Sequence, residues 1–433
     1  MLGLEILVVL GAIFLGARMG GIGIGFAGGF GVLVLTLGLG MTPGSIPIDV
    51  ILIIMAVIAA VAAMQTAGGL DYMVKVAERI LRKNPKQITY LAPAVTYFMT
   101  LLAGTGHTAY STLPVIAEVA KEQGIRPSRP LGIAVVGSQI AITASPISAA
   151  VVFMSGALEP LGVGYIELLA ITIPTTFAAV MITAFVSNFL GKDLADDEVY
   201  QDRLSKGLIK TRGESKIEIK KGAKLSVLIF IATIFSVVTY ATLISKKVAI
   251  IVDPSLPRNA AIMVFMLACA TIITYCTKID TAKIINSSTF KSGMSACICV
   301  LGVAWLGTTF VEAHIVEIKG FAGEVLSEYP WMLAVTLFFA SMLLYSQGAT
   351  TKALIPAALA LGVDAGTAIA SFAAVSALFV LPTYPTLLAA VEMDDTGSTR
   401  IGKYVFNHPF MIPGVLGIVL SVIFGFILTS IVL

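Results

Sequence analysis

Apolar residues run in near-continuous blocks along most of this chain, and polar residues are confined to short interruptions and one charged stretch near the middle. Blocks of about 20 residues are long enough to cross a bilayer as helices. They cover residues 4–17, 21–39, 48–65, 131–158, 166–190, 225–244, 260–276, 290–310, 367–391 and 405–433, which predicts about ten transmembrane crossings. Two further segments, 87–120 and 331–361, are apolar on both arms and polar in the middle. Arms of about 15 residues are too short to span comfortably, so these segments are expected to be re-entrant hairpins.

The interruptions repeat. Pro85, Pro114, Pro146 and Pro174 are matched by Pro330, Pro356, Pro385 and Pro413, each about 240 residues later. The first hairpin's polar tip, Gly104-Thr105-Gly106-His107-Thr108, corresponds to Ser346-Gln347-Gly348-Ala349-Thr350-Thr351-Lys352 in the second. A break at Thr143-Ala144-Ser145-Pro146 likewise corresponds to Pro382-Thr383-Tyr384-Pro385. Between the starts of the two copies, near Ile48 and Phe290, the chain crosses an odd number of times, so the second copy is inverted. One hairpin then enters from each side, and their tips are expected to meet near the midplane, as in inverted-repeat transporters. The expected division is a first half, 1–191, with hairpin 87–120 and broken helix 131–158; a linker, 192–224; and a second half, 225–433, with hairpin 331–361 and broken helix 367–391.

Composition supports this pattern and narrows it. Hydrophobic residues make up 57% of the chain and charged ones 12%, and mean hydropathy is +0.96. A soluble globular domain is excluded, and an all-α integral membrane protein with lipids as its surroundings is expected. Of the 28 Lys and Arg residues, 23 fall on one side of this topology and four on the other, with Lys352 left inside the membrane. By the positive-inside rule the basic side is cytoplasmic and both termini face outward. The first apolar run lacks a basic flank and leads straight into the second, so it reads as a membrane segment rather than a cleaved leader. The linker, with nine basic and seven acidic residues, reads as a solvated cytoplasmic connector. Charged amphipathic stretches at 71–83 and 312–328 precede the hairpins and read either as interfacial arms or as plain surface helices.

Four polar interruptions are thus brought toward one place. Helices interrupted at the midplane expose unpaired N–H groups at positive dipole ends, which suit carboxylates. Glycine permits the tips, proline enforces the breaks, and hydroxyls supply donors. The candidate binding residues are Thr105, Gly106, His107 and Thr108 in the first tip; Thr143, Ser145, Pro146 and Ser148 in the first break; Ser346, Gln347, Thr350, Thr351 and Lys352 in the second tip; and Thr383, Tyr384 and Thr386 in the second break. A lone Thr in a membrane helix usually bonds its own backbone; clusters at matched repeat positions are harder to explain that way. No acid lies deep in a predicted span, which disfavours a cation pump. Lys352 is expected to contact or balance an anionic substrate, with snorkelling to the outer interface as the alternative. His107 could bond substrate, carry a proton or satisfy hairpin backbone.

Other patterns carry less. Cys269, Cys276, Cys297 and Cys299 lie in apolar spans without metal-ligand spacing and read as small buried hydrophobes. Gly23-x-Gly25-x-x-Gly28 matches a dinucleotide fingerprint but lies inside an apolar span, where close helix packing explains it better. No acid accompanies His107 in the repeat geometry, so hydrolase chemistry has little support. No catalytic residue, cofactor, metal or nucleic-acid partner is expected.

Gly16-Ala17-Arg18, Gly68-Gly69-Leu70-Asp71, Gly104-Thr105-Gly106-His107, Ala144-Ser145-Pro146, Asn286-Ser287-Ser288-Thr289-Phe290 and Leu381-Pro382-Thr383-Tyr384-Pro385 followed by Thr396-Gly397 resemble the anaerobic C4-dicarboxylate transporter (Dcu) family over essentially the whole chain. The resemblance implies exchange of fumarate, malate, aspartate and succinate across the inner membrane of facultatively anaerobic bacteria. The run from Ser346 to Leu354, and Met393-Asp394-Asp395-Thr396-Gly397, look like the A-type members, whereas Gly106-His107 looks more like the B-type. It also implies a fold of the ion-transporter superfamily, with inverted repeats forming a moving domain on a homodimeric scaffold. An elevator-type exchanger is therefore expected. A dicarboxylate-binding membrane sensor, meeting a regulatory membrane partner through the 394–400 turn, is the alternative.

Overall fold

The structure, a computed structural model, describes every residue except 1, 20–21, 47, 107–108, 110–111, 210–217, 245–249, 315–327, 345, 382–383 and 403–405. His107, Thr108, Thr383 and most of the amphipathic stretch 312–328 lie outside the described residues. Among the described residues the chain is all-helical, without strands. Four helices there are long and apolar enough to cross a membrane: Tyr165–Ser187, Ala223–Leu243, Asn259–Thr277 and Met411–Val432.

A further apolar helix is bent. Ile51–Thr66 and Gly69–Lys83 meet at 71°, and the chain turns at Gly68, whose φ of 89° a side chain would strain. Beyond the bend the pattern is amphipathic, with Val74, Ala77 and Leu81 buried and Asp71, Lys75 and Arg79 away from the core. The charged stretch 71–83 is thus a helix running across the direction of the apolar helix before it.

Block 290–310 lies within one continuous helix, Ser288–Ala313, whereas segments 87–120, 331–361, 131–158 and 367–391 are interrupted where glycine and proline stand. The first hairpin's arms are Ile88–Ala103, of 16 residues, and Leu113–Glu122, of 10. The second's are Met332–Leu344, of 13, and Gln347–Ala360, of 14. At 1.5 Å per residue each is roughly 15–24 Å long, short of a hydrocarbon core of about 30 Å. Gly104 ends the first arm with φ 68°, its N–H donating to the Thr100 carbonyl at 2.8 Å. Block 131–158 divides into Ser128–Ile140, a 3-10 turn at Ala141–Thr143, and Ala149–Leu158. Block 367–391 divides into Ala365–Ser371, a 3-10 stretch Phe372–Phe379, and Pro385–Met393.

Two large cores organise these pieces. The first is built by the hairpin arms, both broken helices, and helices Tyr165–Ser187 and Met411–Val432, through Tyr97, Leu131, Tyr165, Phe372 and Phe379 among others. The second is built by Ile48–Thr66, Ala223–Leu243 and Arg258–Thr277, through Ile53, Met64, Phe230 and Met266. Helix Ser288–Ala313 packs beside it and lies backbone to backbone on Gly23–Leu33. A Cβ on Gly28 would fall 2.5 Å from the Gly302 carbonyl carbon, so the glycines serve close helix packing. The two cores meet just after the first break, where Ile147 and Val152 join the second core and Ala149 and Phe153 pack against Ile54, Ile58 and Cys297.

Candidate substrate site

The described parts of the first tip, the first break and the second tip touch one another. Ser145 Oγ donates to the Leu101 carbonyl at 2.7 Å, tying the first break to the first hairpin arm. A Cβ on Gly104 would lie 3.0 Å from the Ile147 side chain, and one on Gly106 would lie 3.5 Å from Ile142. Gly348, in the second tip, stands 3.5 Å by the same measure from the Ala149 side chain, at the start of the helix after the first break.

Gln139 joins the rest. Its carbonyl accepts from Gln347 Nε2 and from Ser376 Oγ, each at 3.2 Å, and its Nε2 donates to Thr386 Oγ1 at 3.4 Å. The carbonyl has room for these partners because the α-helix tightens to a 3-10 turn two residues later, at Ala141. Its Oε1 is buried without a hydrogen-bond partner among the described residues. Gln139 and Ser376 were not among the expected site residues. The available signal was a lone amide inside block 131–158 and a hydroxyl inside 367–391, where a buried polar group requires partners.

The expected hydroxyls divide into two groups. Thr143, Thr350 and Thr351 donate to backbone carbonyls within four residues of themselves, at Ile140, Ser346 and Gln347. Ser148 and Ser346 are helix N-caps, accepting from Val151 N and Ala349 N at 3.2 Å each, and Ser148 also donates to the Ile142 carbonyl at 2.6 Å. The Pro146 carbonyl accepts from the Tyr165 hydroxyl. Thr105 and Tyr384 are partly buried, Tyr384 against the first core. Helices beginning at Leu113, Ala149, Gln347 and Pro385 start directly after the four interruptions, so each contributes a positive N-terminal end.

Lys352 differs from all of these. It is 2% exposed, so it does not extend to a surface, and its Nζ is buried without a hydrogen-bond partner among the described residues. On helix Gln347–Ala360 it stands three residues after Ala349, on that residue's side, and directly before Ala353. Those two pack with Val303 toward helix Ser288–Ala313, where Gly307 lies 3.4 Å from the Ala353 side chain on the same glycine measure. Gln347 and Thr351 lie on the side facing Gln139. The ammonium therefore occupies the junction between the second hairpin and the neighbouring packing group, with the buried Cys297 as an electrostatic neighbour. Among the described residues no group of three or more His, Cys, Asp or Glu could hold a metal ion.

The family model for anaerobic C4-dicarboxylate membrane transporters matches residues 1–433. The chain belongs to this family. It is 71% identical to the C4-dicarboxylate transporter DcuA of Wolinella succinogenes over the full length of both chains, and 61% identical to DcuA of Escherichia coli K12, again over both full lengths. Identity to the anaerobic C4-dicarboxylate transporter DcuB of Escherichia coli O6:H1 is 39%, across 99% of this chain and 98% of the relative. Within the family it therefore stands nearer the A-type members, despite its Gly106-His107 pair. The solved structure of Neisseria gonorrhoeae MtrF, from a class of antimetabolite efflux pumps, shares 14% identity with a TM-score of 0.58, covering 92% of this chain and 84% of that one. At that identity the likeness is one of fold. For a Dcu family member with apolar helices of membrane-spanning length, a multi-pass membrane protein follows.

Proposed function

We propose that this protein exchanges C4-dicarboxylates, among them fumarate, malate, aspartate and succinate, across the bacterial inner membrane, its basic loops and linker facing the cytoplasm and both termini the periplasm. The observation that carries the reading is Lys352, a buried ammonium without a hydrogen-bond partner among the described residues, near the tip of an interrupted helix. An isolated cation in a low-dielectric interior is costly, and an anion that pairs with it removes that cost. Helix N-termini at the four interruptions would meet the second carboxylate. One dianion replaces another in an exchanger, so full neutralisation by the protein is not required.

The movement is an elevator. The group of helices around the first core, which holds all four interruptions, would slide against the group around the second, with Lys352 at the boundary. Small apolar contacts such as Gly307 to Ala353 suit such a boundary, since they present no hydrogen bonds to break. The second group would form the homodimeric scaffold. Purified protein in liposomes tests the reading: labelled external succinate should accumulate against internal fumarate, and a requirement for loaded dicarboxylate inside marks exchange. Binding without flux would replace the exchanger with a sensor.

A further inference from the structure

On the side of the molecule carrying the basic loops, a cavity of about 280 Å³ lies between the start of helix Ser128–Ile140, the chain leaving helix Tyr165–Ser187, and the start of helix Met411–Val432. Arg126, Arg129 and Arg400 line it, and among the described residues no carboxylate does. Two of the guanidinium groups are held rigidly. Arg129 donates from Nε to the Leu190 carbonyl at 2.9 Å and from Nη2 to Gly191 O and Asp193 Oδ1 at 3.0 and 2.8 Å. Arg126 donates from Nε to Ser128 Oγ at 2.9 Å and from Nη1 to Lys192 O at 3.1 Å and Asp197 Oδ2 at 2.5 Å. Arg400 donates from Nη1 to Gly397 O at 2.8 Å and stands 3.6 Å from Asp197 Oδ1. Each arginine keeps donors that make no hydrogen bond to the described residues, so two fixed cations and the half-exposed Arg400 line the cavity with unfilled N–H groups.

The fourth lining group specifies the ligand further. His408 is 7% exposed; its Nε2 stands 3.3 Å from the Val380 carbonyl, and its Nδ1 is buried without a partner among the described residues. With Nε2–H donating to that carbonyl, Nδ1 is an acceptor that waits for a hydroxyl. The cavity's outer wall is apolar. Ile412 lines it and is exposed, and Val415, Val419 and Ile423 continue the exposed stripe down the same helix. Phe185 and Phe189, stacked edge-on at 5.3 Å, are exposed near the same end of the adjacent helix.

We propose that this cavity binds the headgroup of an anionic phospholipid bearing a headgroup hydroxyl, of the phosphatidylglycerol type, from the leaflet that meets the basic loops. The phosphate lies among Arg126, Arg129 and Arg400, the hydroxyl donates to His408 Nδ1, and the acyl chains follow the exposed stripe from Ile412. Basic pockets between membrane helices at this depth have the charge and the apolar exit that such headgroups need. The site is separate from the dicarboxylate reading and stands without it.

The test is thermal unfolding of the full-length protein in neutral detergent, with phosphatidylglycerol, phosphatidylcholine or inorganic phosphate added. Phosphatidylglycerol should raise the melting temperature, and the other two should not. Arg400→Gln, at a half-exposed surface position, and Arg129→Gln should each weaken the phosphatidylglycerol effect about fivefold, and Lys206→Gln, on the exposed linker, should leave it unchanged. Lipid retained through purification, quantified by mass spectrometry, should fall in the same variants, which separates lost binding from lost folding. Equal stabilisation by phosphatidylcholine, or retention of phosphatidylglycerol by both arginine variants, would overturn the proposal. Stabilisation by inorganic phosphate alone would mark a free-anion site in place of a lipid site.

Discussion

Arg126 and Lys352 are two buried cations in opposite situations. Arg126 meets a carboxylate, a backbone carbonyl and a hydroxyl, and its partner Asp197 is occupied in turn by Val199 N and Tyr200 N. Lys352, buried more deeply, has no hydrogen-bond partner among the described residues. A cation that holds a fold together has its charge paired, even where some of its N–H groups stay open to a cavity, because an unpaired charge would be worth less than an apolar residue of the same size. A cation left without partners destabilises the empty protein and persists where a ligand completes it. The contrast separates a structural clamp, joining the start of the linker to the loops around 126–129 and 397–400, from the group proposed to meet substrate.

The largest expected effect lies on the clamp. Arg126→Met should destabilise the protein by about 2–3 kcal/mol, since it leaves the buried Asp197 carboxylate with only two backbone N–H groups and Arg400 at 3.6 Å, and thermal unfolding measures it. Asp197→Asn provides the pH signature. Burial disfavours the Asp197 carboxylate, but hydrogen bonds from Arg126 and Tyr200 N, with the charges of Arg126 and Arg400, outweigh it and hold the carboxyl below its ordinary value. A depressed folded value means that the stabilisation is present at neutral pH and is lost as pH falls through it. The stability gap between wild type and Asp197→Asn should therefore be full at pH 7 and shrink below about pH 4. A gap constant with pH would show that the carboxylate's charge contributes nothing.

Lys352→Met should do the reverse of Arg126→Met. Removing an unpaired buried ammonium should leave the empty protein as stable or more stable, by about 1 kcal/mol. Dicarboxylate affinity should fall by about 2 kcal/mol, roughly thirtyfold, read by ligand-induced thermal shift and by counterflow. If the variant loses stability and keeps its affinity, Lys352 is a second clamp and the contrast fails. The smallest effect belongs to Ser376→Ala, which removes one of the two side-chain donors to the Gln139 carbonyl. A loss of about 1 kcal/mol is expected, because Gln347 still satisfies that oxygen, and a loss of several kcal/mol would mean that the junction acts as one cooperative unit.

Much of the local architecture was readable in advance. The arms of 87–120 and 331–361 are short helices, and blocks 131–158 and 367–391 are broken where Pro146 and Pro385 stand. Hydropathy carried the lengths, and glycine and proline carried the ends. Less of the site was readable. Thr143, Thr350 and Thr351 were named for their hydroxyls, yet those hydroxyls bond nearby backbone, as single threonines in apolar helices commonly do. Gln139 was passed over because nothing near it in the chain marks it.

The sequence by itself determined where helices start and stop and which segments are apolar, because backbone hydrogen bonding, proline's missing donor and glycine's open φ act within a few residues. Family membership is likewise spread along the whole chain. Only the tertiary structure decided that Gln139 joins Gln347, Ser376 and Thr386, across separations of 208, 237 and 247 residues. It alone buried Lys352 beside Cys297 of helix Ser288–Ala313 and left its ammonium without a hydrogen-bond partner among the described residues. Those outcomes depend on which helix faces pack together, and packing is settled by contacts between parts of the chain that carry no local mark of one another.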